Sequence, residues 1–282
     1  MNQIKAETLS KEDFLKLSRF IYQLSGIKMP ESKKILVEAR LRKRLKDLNI
    51  QSFKKYCEFL FSEEGSRNEI TQMVDVITTN KTDFYREPKQ FEFLKQTALK
   101  ELSIVNGAGI IRPVNIWSAG CSTGEEPYTL AIELQEYANY SLGFKFNLIA
   151  TDISTRVLEA ACRGVYEESK ISEIPPQIIK KYFLRSKDRS KKLVRVTPLI
   201  RNSVRFKWLN FMQEDYGLEQ KFDIIFCRNV IIYFDKDTQE NLIRRLLDYI
   251  VPGGYLFLGH SESIIKSNFP VTQVIASTYR KI

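Results

Sequence analysis

The sequence contains few residues of the kinds that build metal sites and disulfides. Its 282 residues include one histidine and four cysteines, none of them in a C-x-x-C pair. A structural zinc site needs several such ligands at short spacings, and disulfide-stapled domains need many paired cysteines. The sequence therefore predicts no metal, and it predicts reduced thiols in a reducing compartment.

Long apolar runs are also missing. The longest stretches, residues 224–227 and 230–234, fall well short of the roughly 20 apolar residues that span a membrane. No apolar segment follows the charged N-terminus, which argues against a signal peptide. Hydrophobic residues nevertheless make up 43% of the chain and aromatic residues 12%, which is enough for a packed core. We therefore expect a folded cytoplasmic protein that does not insert into a membrane.

Positive charge is concentrated in two stretches. The chain carries 44 Lys and Arg against 34 Asp and Glu, a net charge of +10. Residues 28–55 have a net charge of +7 and residues 180–207 a net charge of +10, so the remainder is acidic. Such surfaces suit an acidic macromolecular partner, whether nucleic acid, anionic lipid or an acidic protein, and ordinary solvated surface explains them equally well.

Helical periodicity fills the first 77 residues. Apolar side chains recur every three or four positions over residues 14–24 and 37–48, and shorter helices are predicted at 53–61 and 69–77. A polar stretch without a period follows at residues 78–83, which predicts a linker. Three basic residues of the second helix are expected to form one strip beside its apolar stripe: Lys33, Arg40 and Arg44.

Strands and helices alternate after the linker. The sequence predicts four apolar strands there, at residues 114–118, 146–150, 222–227 and 254–258. With helices between them, this pattern is typical of an α/β fold with a doubly wound parallel sheet. The alternation fails between residues 164 and 207, where short strands near a charged turn predict an antiparallel insertion.

A glycine-containing turn, IWSAGCSTGEE at residues 116–126, joins the first predicted strand to a helix. Glycine lets a ligand approach the backbone, but the spacing matches neither the G-x-G-x-x-G of dinucleotide sites nor a lysine-containing phosphate loop. Glu125 and Glu126 would repel a pyrophosphate. The turn favours a nucleoside ligand without phosphates, such as S-adenosylmethionine, over NAD or ATP. Taken alone, an ordinary strand–helix turn explains this segment somewhat better.

Polar residues follow two later strands. Asp152 ends the second strand, 28 residues after Gly124, where an acid can accept hydrogen bonds from both ribose hydroxyls of a nucleoside. It can also cap the helix that follows. Asn229 comes after the strand at residues 222–227, at the edge of the sheet where ligands bind. Tyr233 is placed to bring its ring near a sulfonium cation.

Five segments, in this order, resemble the chemotaxis receptor glutamate methyltransferases of the CheR type. They are TTNKTDFYRE (78–87), CSTGEEPY (121–128), ATDI (150–153), FCRNVIIYF (226–234) and GHSES (259–263). The resemblance covers nearly the whole chain. It implies an all-α N-terminal receptor-docking domain (1–77), a linker that contributes to the cofactor site (78–90) and a Rossmann-like methyltransferase domain (91–282). A small antiparallel β subdomain would be inserted at about 165–207.

The resemblance also implies the residues of the site. S-adenosylmethionine, without a metal, would contact nine positions: Asn80, Thr82, Arg86, Glu126, Asp152, Asn210, Phe211, Asn229 and Val230. We expect Arg86 and Tyr233 to be catalytic. The strip formed by Lys33, Arg40 and Arg44 would dock on the cytoplasmic helical region of a receptor, with no nucleic-acid partner and a monomeric enzyme. Residues 185–192 match a loop that binds a receptor tether in some members, but they lack its glycine and are strongly basic, so direct docking is expected.

The expected reaction is methyl transfer from S-adenosylmethionine to a glutamate carboxylate of the receptor, in sensory adaptation. Glutamate, with a pKa of about 4.3, is already ionised at neutral pH, so no general base is needed and His260 is expected to be structural or to orient the substrate. Two alternatives stay open. The basic surfaces suit an RNA methyltransferase, although the [Asn/Asp]-Pro-Pro-aromatic and Pro-Cys motifs of base methylation are missing. A non-catalytic adaptor is the other, although the residues around Asp152 and Asn229 are intact.

Overall fold

The structure is a computed structural model that describes residues 8–264 and 269–282. An all-α N-terminal part is followed by a seven-stranded mixed sheet with helices packed against it and by a small three-stranded antiparallel sheet. The predicted fold class is thus confirmed. Residues 1–7, where the sequence indicates no signal peptide, lie outside the described residues.

Five helices form the N-terminal part: α1 (Lys11–Ser25), α2 (Lys34–Asp47), α3 (Phe53–Leu60), α4 (Glu63–Asn68) and α5 (Ile70–Ile77). Helix α1 begins where the Ser10 hydroxyl accepts a hydrogen bond from the backbone N–H of Asp13, and it ends at Gly26 in the left-handed conformation. The apolar stripes of these helices are buried together in one core, which includes Phe14, Leu17, Val37 and Leu41.

Ten strands lie in the described residues: β1 (Val114–Ala119), β2 (Phe146–Asp152), β3 (Val165–Glu167), β4 (Phe183–Arg185), β5 (Leu193–Val196), β6 (Val204–Trp208), β7 (Phe222–Cys227), β8 (Ile250–Leu258), β9 (Val271–Ile275) and β10 (Thr278–Lys281). The main sheet has the order β6-β2-β1-β7-β8-β10-β9. Its first five strands run parallel, and β10 pairs antiparallel with both β8 and β9. The carboxyl ends of β1, β2 and β7 therefore meet at one edge.

Seven helices accompany the strands: α6 (Pro88–Phe93), α7 (Leu99–Asn106), α8 (Glu125–Tyr140), α9 (Thr155–Arg163), α10 (Pro176–Tyr182), α11 (Pro198–Arg201) and α12 (Lys236–Tyr249). Alternate residues of each central strand face opposite sides of the sheet, so Ile116 and Phe226 enter one core and Trp117 and Ile225 the other. Covered on both faces, the central strands β1, β2 and β7 are mostly apolar. Within the described ranges, no helix has the length and apolar character needed to cross a membrane.

The inserted subdomain is smaller than the sequence predicted. Only β3, β4 and β5 form the separate antiparallel sheet, in the order β3-β5-β4. Strand β6, which the sequence analysis assigned to the insertion, instead pairs in parallel with β2 at the edge of the main sheet. Its side chains Val204 and Phe206 pack against the main core. The extension of the subdomain to residue 207 was therefore wrong, because strand propensity does not reveal which sheet a short strand joins.

Candidate functional site

A cleft opens between the carboxyl ends of the parallel strands and the helical N-terminal part. Residues from α2, the linker after α5, and the ends of β1, β2 and β7 line it. The nine positions predicted to bind the cofactor all line this one cleft: Asn80, Thr82, Arg86, Glu126, Asp152, Asn210, Phe211, Asn229 and Val230. Tyr233, Lys33 and Arg40 line it as well, whereas Arg44 does not.

Asp152 is the last residue of β2 and is only 8% exposed. Its carboxylate accepts hydrogen bonds from the backbone N–H groups of Ser122, at 2.8 Å, and Ser154, at 2.9 Å. Burial raises the pKa of the Asp152 carboxyl, and these two backbone donors oppose that effect. Because an ionised carboxylate has about four acceptor sites, room remains for hydroxyl groups of a ligand in the cleft.

Gly120 forms a cradle in the cleft, directly after β1. Its φ is 87°, and a Cβ at this position would lie 2.4 Å from Cγ2 of Val230. Any larger residue would displace the side chain of Val230, which also lines the cleft. The glycine therefore keeps the turn open beside the Asp152 carboxylate, as a ligand that approaches the backbone requires.

Glu126 lies in the first turn of α8, and protein donors already hold both of its carboxylate oxygens. Oε1 accepts a hydrogen bond from the Ser118 hydroxyl and Oε2 one from Nε of Arg228, each at 2.7 Å. Arg228 is 7% exposed, so this is a buried ion pair. Arg228 was not among the predicted site residues, although an arginine directly after a fully buried strand indicates that it has a partner.

Arg228 also fixes the linker that precedes α6. Its Nη1 donates to the backbone carbonyl of Arg86 at 2.8 Å and to Oε1 of Gln90 at 3.0 Å. The flanking residues Tyr85 and Glu87 have φ values of 54° and 60°, a conformation that costs energy in non-glycine residues. The buried arginine thus holds a strained turn at the carboxyl end of β7, and the turn carries Arg86 into the cleft.

Glu262 shapes the opposite side of the cleft. Its carboxylate accepts hydrogen bonds from the backbone N–H groups of Gly259 at 2.7 Å, Asn229 at 2.8 Å and Ile232 at 3.3 Å. Burial raises the pKa of Glu262, against these donors. Asn229 has a φ of 57°, and the buried carboxylate holds it there. Glu262 belongs to the GHSES segment, but the sequence analysis gave it no role.

The helical part contacts the cleft residues directly. Nδ2 of Asn210 donates to the carbonyl of Leu24 at 2.7 Å, and the backbone N–H of Lys28 donates to the carbonyl of Tyr233 at 2.9 Å. Nζ of Lys33 lies 5.8 Å from the centre of the Tyr233 ring, a cation–π distance. The helical N-terminal part and the part that contains the main sheet therefore both contribute residues to the cleft.

The basic strip predicted on α2 is only partly formed. Arg40 lines the cleft while it donates to the carbonyl of Ile77 and, at 2.9 Å, to the hydroxyl of Thr79. Arg44 is instead paired with the buried carboxylate of Glu69, at 2.7 and 2.9 Å, and its side chain is 13% exposed. A buried carboxylate needs such a partner. The docking role of Arg44 stays a prediction that this geometry does not favour.

His260 and the cysteines do not join the cleft. The His260 side chain is 57% exposed, and its backbone N–H donates to Glu87 at 3.1 Å. In the part of the chain that the structure describes, no group of three or more His, Cys, Asp and Glu residues is arranged to hold a metal ion. The cleft thus brings together carboxylates, amides, arginines and a tyrosine.

Two family models match the chain in succession. The model described as CheR methyltransferase, all-alpha domain, matches residues 12–78, and the one described as CheR methyltransferase, SAM binding domain, matches residues 80–280. The chain belongs to the CheR methyltransferase family. It is therefore an S-adenosylmethionine-dependent methyltransferase, and the resemblance stated from its motifs is confirmed.

Similar proteins support this over nearly the full chain. The chemotaxis protein methyltransferase of Borreliella burgdorferi is 38% identical over 97% of this chain and 95% of its own length. Chemotaxis protein methyltransferase 2 of Pseudomonas aeruginosa is 38% identical, covering 96% and 93%. The chemotaxis protein methyltransferase of Escherichia coli is 38% identical over 90% of this chain and 85% of its own length. This CheR-family enzyme is thus similar to chemotaxis methyltransferases along its whole described fold.

The residues of the cleft fit S-adenosylmethionine. The Asp152 carboxylate retains acceptor capacity for ribose hydroxyls, and the Gly120 cradle leaves the backbone open beside it. Of the two glutamates in the glycine turn, Glu126 lines the cleft but is paired with Arg228, and Glu125 is buried outside the lining. The fit to a nucleoside therefore rests on the free acceptor capacity of Asp152 and on the space that Gly120 leaves.

Proposed function

We propose that this CheR-family enzyme methylates glutamate side chains in the cytoplasmic helical region of chemotaxis receptors. The product is a glutamyl methyl ester, and the reaction serves sensory adaptation. The single observation that carries the proposal is the composition of the cleft. Lys33 and Arg40 of the helical part lie at the same cleft as Asp152, so a basic docking surface adjoins a nucleoside site.

The cofactor would be held by the nine predicted cleft residues. Asp152 would accept hydrogen bonds from its ribose hydroxyls, and the linker residues Asn80, Thr82 and Arg86 would close over it from the other side. When bound, S-adenosylmethionine supplies an electrophilic methyl group on a sulfonium cation. The cleft's own task is to exclude water and to fix the two reactants in line.

The nucleophile requires no base from the protein. A glutamate carboxylate is ionised at neutral pH, so the chain needs to orient it and to remove its water. Arg86 and Tyr233 line the cleft and are the proposed catalytic residues. Among residues 8–264 and 269–282, the Arg86 guanidinium donates one hydrogen bond, of 3.4 Å to the carbonyl of Lys81, which leaves donors for the substrate carboxylate or for the cofactor.

The basic rim of the cleft supports an acidic helical substrate. Lys33 and Arg40 would attract carboxylates that flank the target glutamate on a receptor helix and would set the helix against the cleft. Arg40 is already engaged with Ile77 and Thr79, so Lys33 is the residue whose charge is more available to a partner.

The experiment incubates receptor-containing membranes with the enzyme and S-adenosylmethionine labelled in its methyl group. The expected result is label on a protein band of the receptor's size, absent from membranes that lack receptors and strongly reduced with the Asp152→Ala enzyme. Label on nucleic acid, or equal labelling of receptor-free membranes, would reject the proposal and favour an RNA methyltransferase.

A further inference from the structure

One buried carboxylate of the helical part is connected to the acid of the cleft through a single residue. Asp75, on α5, is 4% exposed. Its Oδ1 accepts hydrogen bonds from the Ser154 hydroxyl at 2.6 Å and from the backbone N–H of Arg156 at 3.3 Å. Its Oδ2 accepts one from the Thr155 hydroxyl at 2.9 Å. All three partners lie at the beginning of α9, so Asp75 binds the N-terminus of a helix that belongs to the other part of the chain.

Ser154 connects this carboxylate to Asp152. Its hydroxyl donates to Asp75, while its backbone N–H donates to Oδ1 of Asp152 at 2.9 Å. Ser154 is completely buried and is the N-cap residue of α9, where its hydroxyl accepts from the N–H of Val157. A residue held at these three points has little freedom to move, and its backbone N–H is one of two that orient the Asp152 carboxylate.

A second contact closes the same junction. Nη2 of Arg156 donates to the backbone carbonyl of Asp75 at 2.9 Å. Helix α5 ends two residues later at Ile77, and the chain then enters the linker that carries Asn80 and Thr82 into the cleft. Asp75 therefore joins two segments that line the cleft from different sides, the linker after α5 and the end of β2.

We propose that Asp75 is a positioning residue for cofactor binding: by fixing the first turn of α9 it holds the Asp152 carboxylate toward the cleft. This inference rests on the proposed role of Asp152 as the ribose acceptor. Asp75 touches no reacting atom. It transmits the placement of the helical part to the acid that binds the cofactor.

Glu69 provides a matched control for an effect on stability alone. It is also a buried acid of the helical part, 2% exposed, and it accepts hydrogen bonds from Arg44 and, at 3.0 Å, from the Tyr56 hydroxyl. Neither partner lines the cleft. Glu69→Gln and Asp75→Asn make the same chemical change in the same part of the chain. Only Asp75→Asn alters a hydrogen bond to Ser154, whose backbone N–H donates to Asp152.

The test measures binding of S-adenosylhomocysteine by calorimetry, together with urea unfolding of the full chain. Asp75→Asn is expected to weaken binding about tenfold, the effect of losing one charge-assisted hydrogen bond. Thr155→Val, which preserves shape and removes one donor, is expected to weaken it about threefold. Glu69→Gln is expected to unfold at lower urea with wild-type affinity. If Asp75→Asn does not fold, the affinity of Thr155→Val for S-adenosylhomocysteine tests the positioning role.

A double-mutant cycle separates this inference from the proposed role of Asp152. If Asp152→Ala binds with wild-type affinity, the ribose role itself is rejected. If Asp152→Ala weakens binding but Asp75→Asn and Thr155→Val bind like the wild type, only the positioning role is overturned. The expected outcome is that Asp75→Asn has no further effect on affinity in the Asp152→Ala background.

Discussion

Nε of Arg228 donates to Oε2 of Glu126 at 2.7 Å, and the arginine side chain is 3% exposed. The pair joins the carboxyl end of β7 to the first turn of α8, under the linker that carries Arg86. The guanidinium also lies 5.1 Å from the centre of the Phe91 ring and 5.6 Å from that of Phe226. Carboxylate, aromatic rings and the backbone carbonyl of Arg86 thus surround a cation that is almost completely buried at the edge of the cleft.

Replacing Arg228 by methionine should be strongly destabilising. The substitution leaves the Glu126 carboxylate buried without its cation, and breaking a buried pair from one side costs about 3–5 kcal/mol. Urea unfolding of Arg228→Met measures the loss. The control is Arg67→Met, which removes the exposed partner of Glu63 and should cost less than about 1 kcal/mol. Equal losses in the two variants would show that the Arg228 pair contributes no more than a surface pair.

Cofactor affinity should depend on the ionisation of Asp152. Burial raises the pKa of this carboxyl, and protonation removes acceptor capacity that the proposed bonds from the ribose hydroxyls need. Affinity should therefore fall as the pH falls, beginning above the ordinary aspartate pKa of about 3.9. Calorimetry with S-adenosylhomocysteine between about pH 4.5 and 8 measures this. The Asp152→Asn variant should bind weakly with a flatter profile, and an identical pH profile in both proteins would contradict the assignment.

The same raised pKa of Asp152 has the opposite effect on stability in the ligand-free protein: low pH weakens cofactor binding but favours the folded state. Because the folded state binds the Asp152 proton more tightly than the unfolded state, this group's contribution to stability is complete below its unfolded pKa. That contribution is lost as the pH rises through the folded pKa. The difference in unfolding free energy between wild type and Asp152→Asn should therefore move in favour of the variant as the pH rises from about 4 to 7.

The strand pattern was sufficient to predict part of the cleft, for a physical reason. Carboxyl ends of parallel strands lie at one edge of a sheet, so Asp152 and Asn229, 77 positions apart, had to lie at the same edge, where β1 separates their strands. For the linker residues Asn80, Thr82 and Arg86, a segment that closes over a cleft was one hypothesis, but a solvated linker explained the polar stretch better, and the family resemblance was needed to assign them to the cofactor site.

The supporting residues were not predictable in this way. Each forms a hydrogen bond with a residue far away in the sequence. The separation is 102 positions between Arg228 and Glu126, 33 between Glu262 and Asn229, and 79 between Asp75 and Ser154. Each is a buried charge whose partner is set by tertiary packing, and no local pattern encodes such a pairing. The placement of β6 in the main sheet was missed for the same reason, because partner choice of a short strand is a long-range property.

Reversing the charge of Lys33 should weaken receptor methylation. The Lys33→Glu enzyme presents a carboxylate to an acidic helix, so the KM for receptor should rise roughly tenfold at low ionic strength and less at high salt. Arg40 is a poorer test because it also holds Ile77 and Thr79. The Lys54→Glu enzyme, with an equal charge change at an exposed position of α3, should methylate receptor like the wild type. Wild-type kinetics of Lys33→Glu at low salt would show that this lysine does not dock the substrate.

Tyr233 should act through its ring. The face of the ring attracts a cation, and the phenol oxygen adds little to that attraction. Tyr233→Phe should therefore keep kcat within about threefold of the wild type, whereas Tyr233→Ala should lower it on the order of tenfold. Steady-state kinetics with saturating receptor separates the two variants. A large loss of kcat in Tyr233→Phe would instead assign the function to the hydroxyl.

The central claim is that the product is a carboxyl methyl ester on a receptor glutamate, and its linkage chemistry tests this most directly. Receptor-containing membranes are labelled with methyl-tritiated S-adenosylmethionine, washed, and treated with mild alkali in a sealed vial. The account predicts that the label leaves the protein as volatile methanol and that mass spectrometry before alkali places the methyl group on glutamate side chains. Label that survives alkali on the macromolecule, or that nuclease releases, would contradict it.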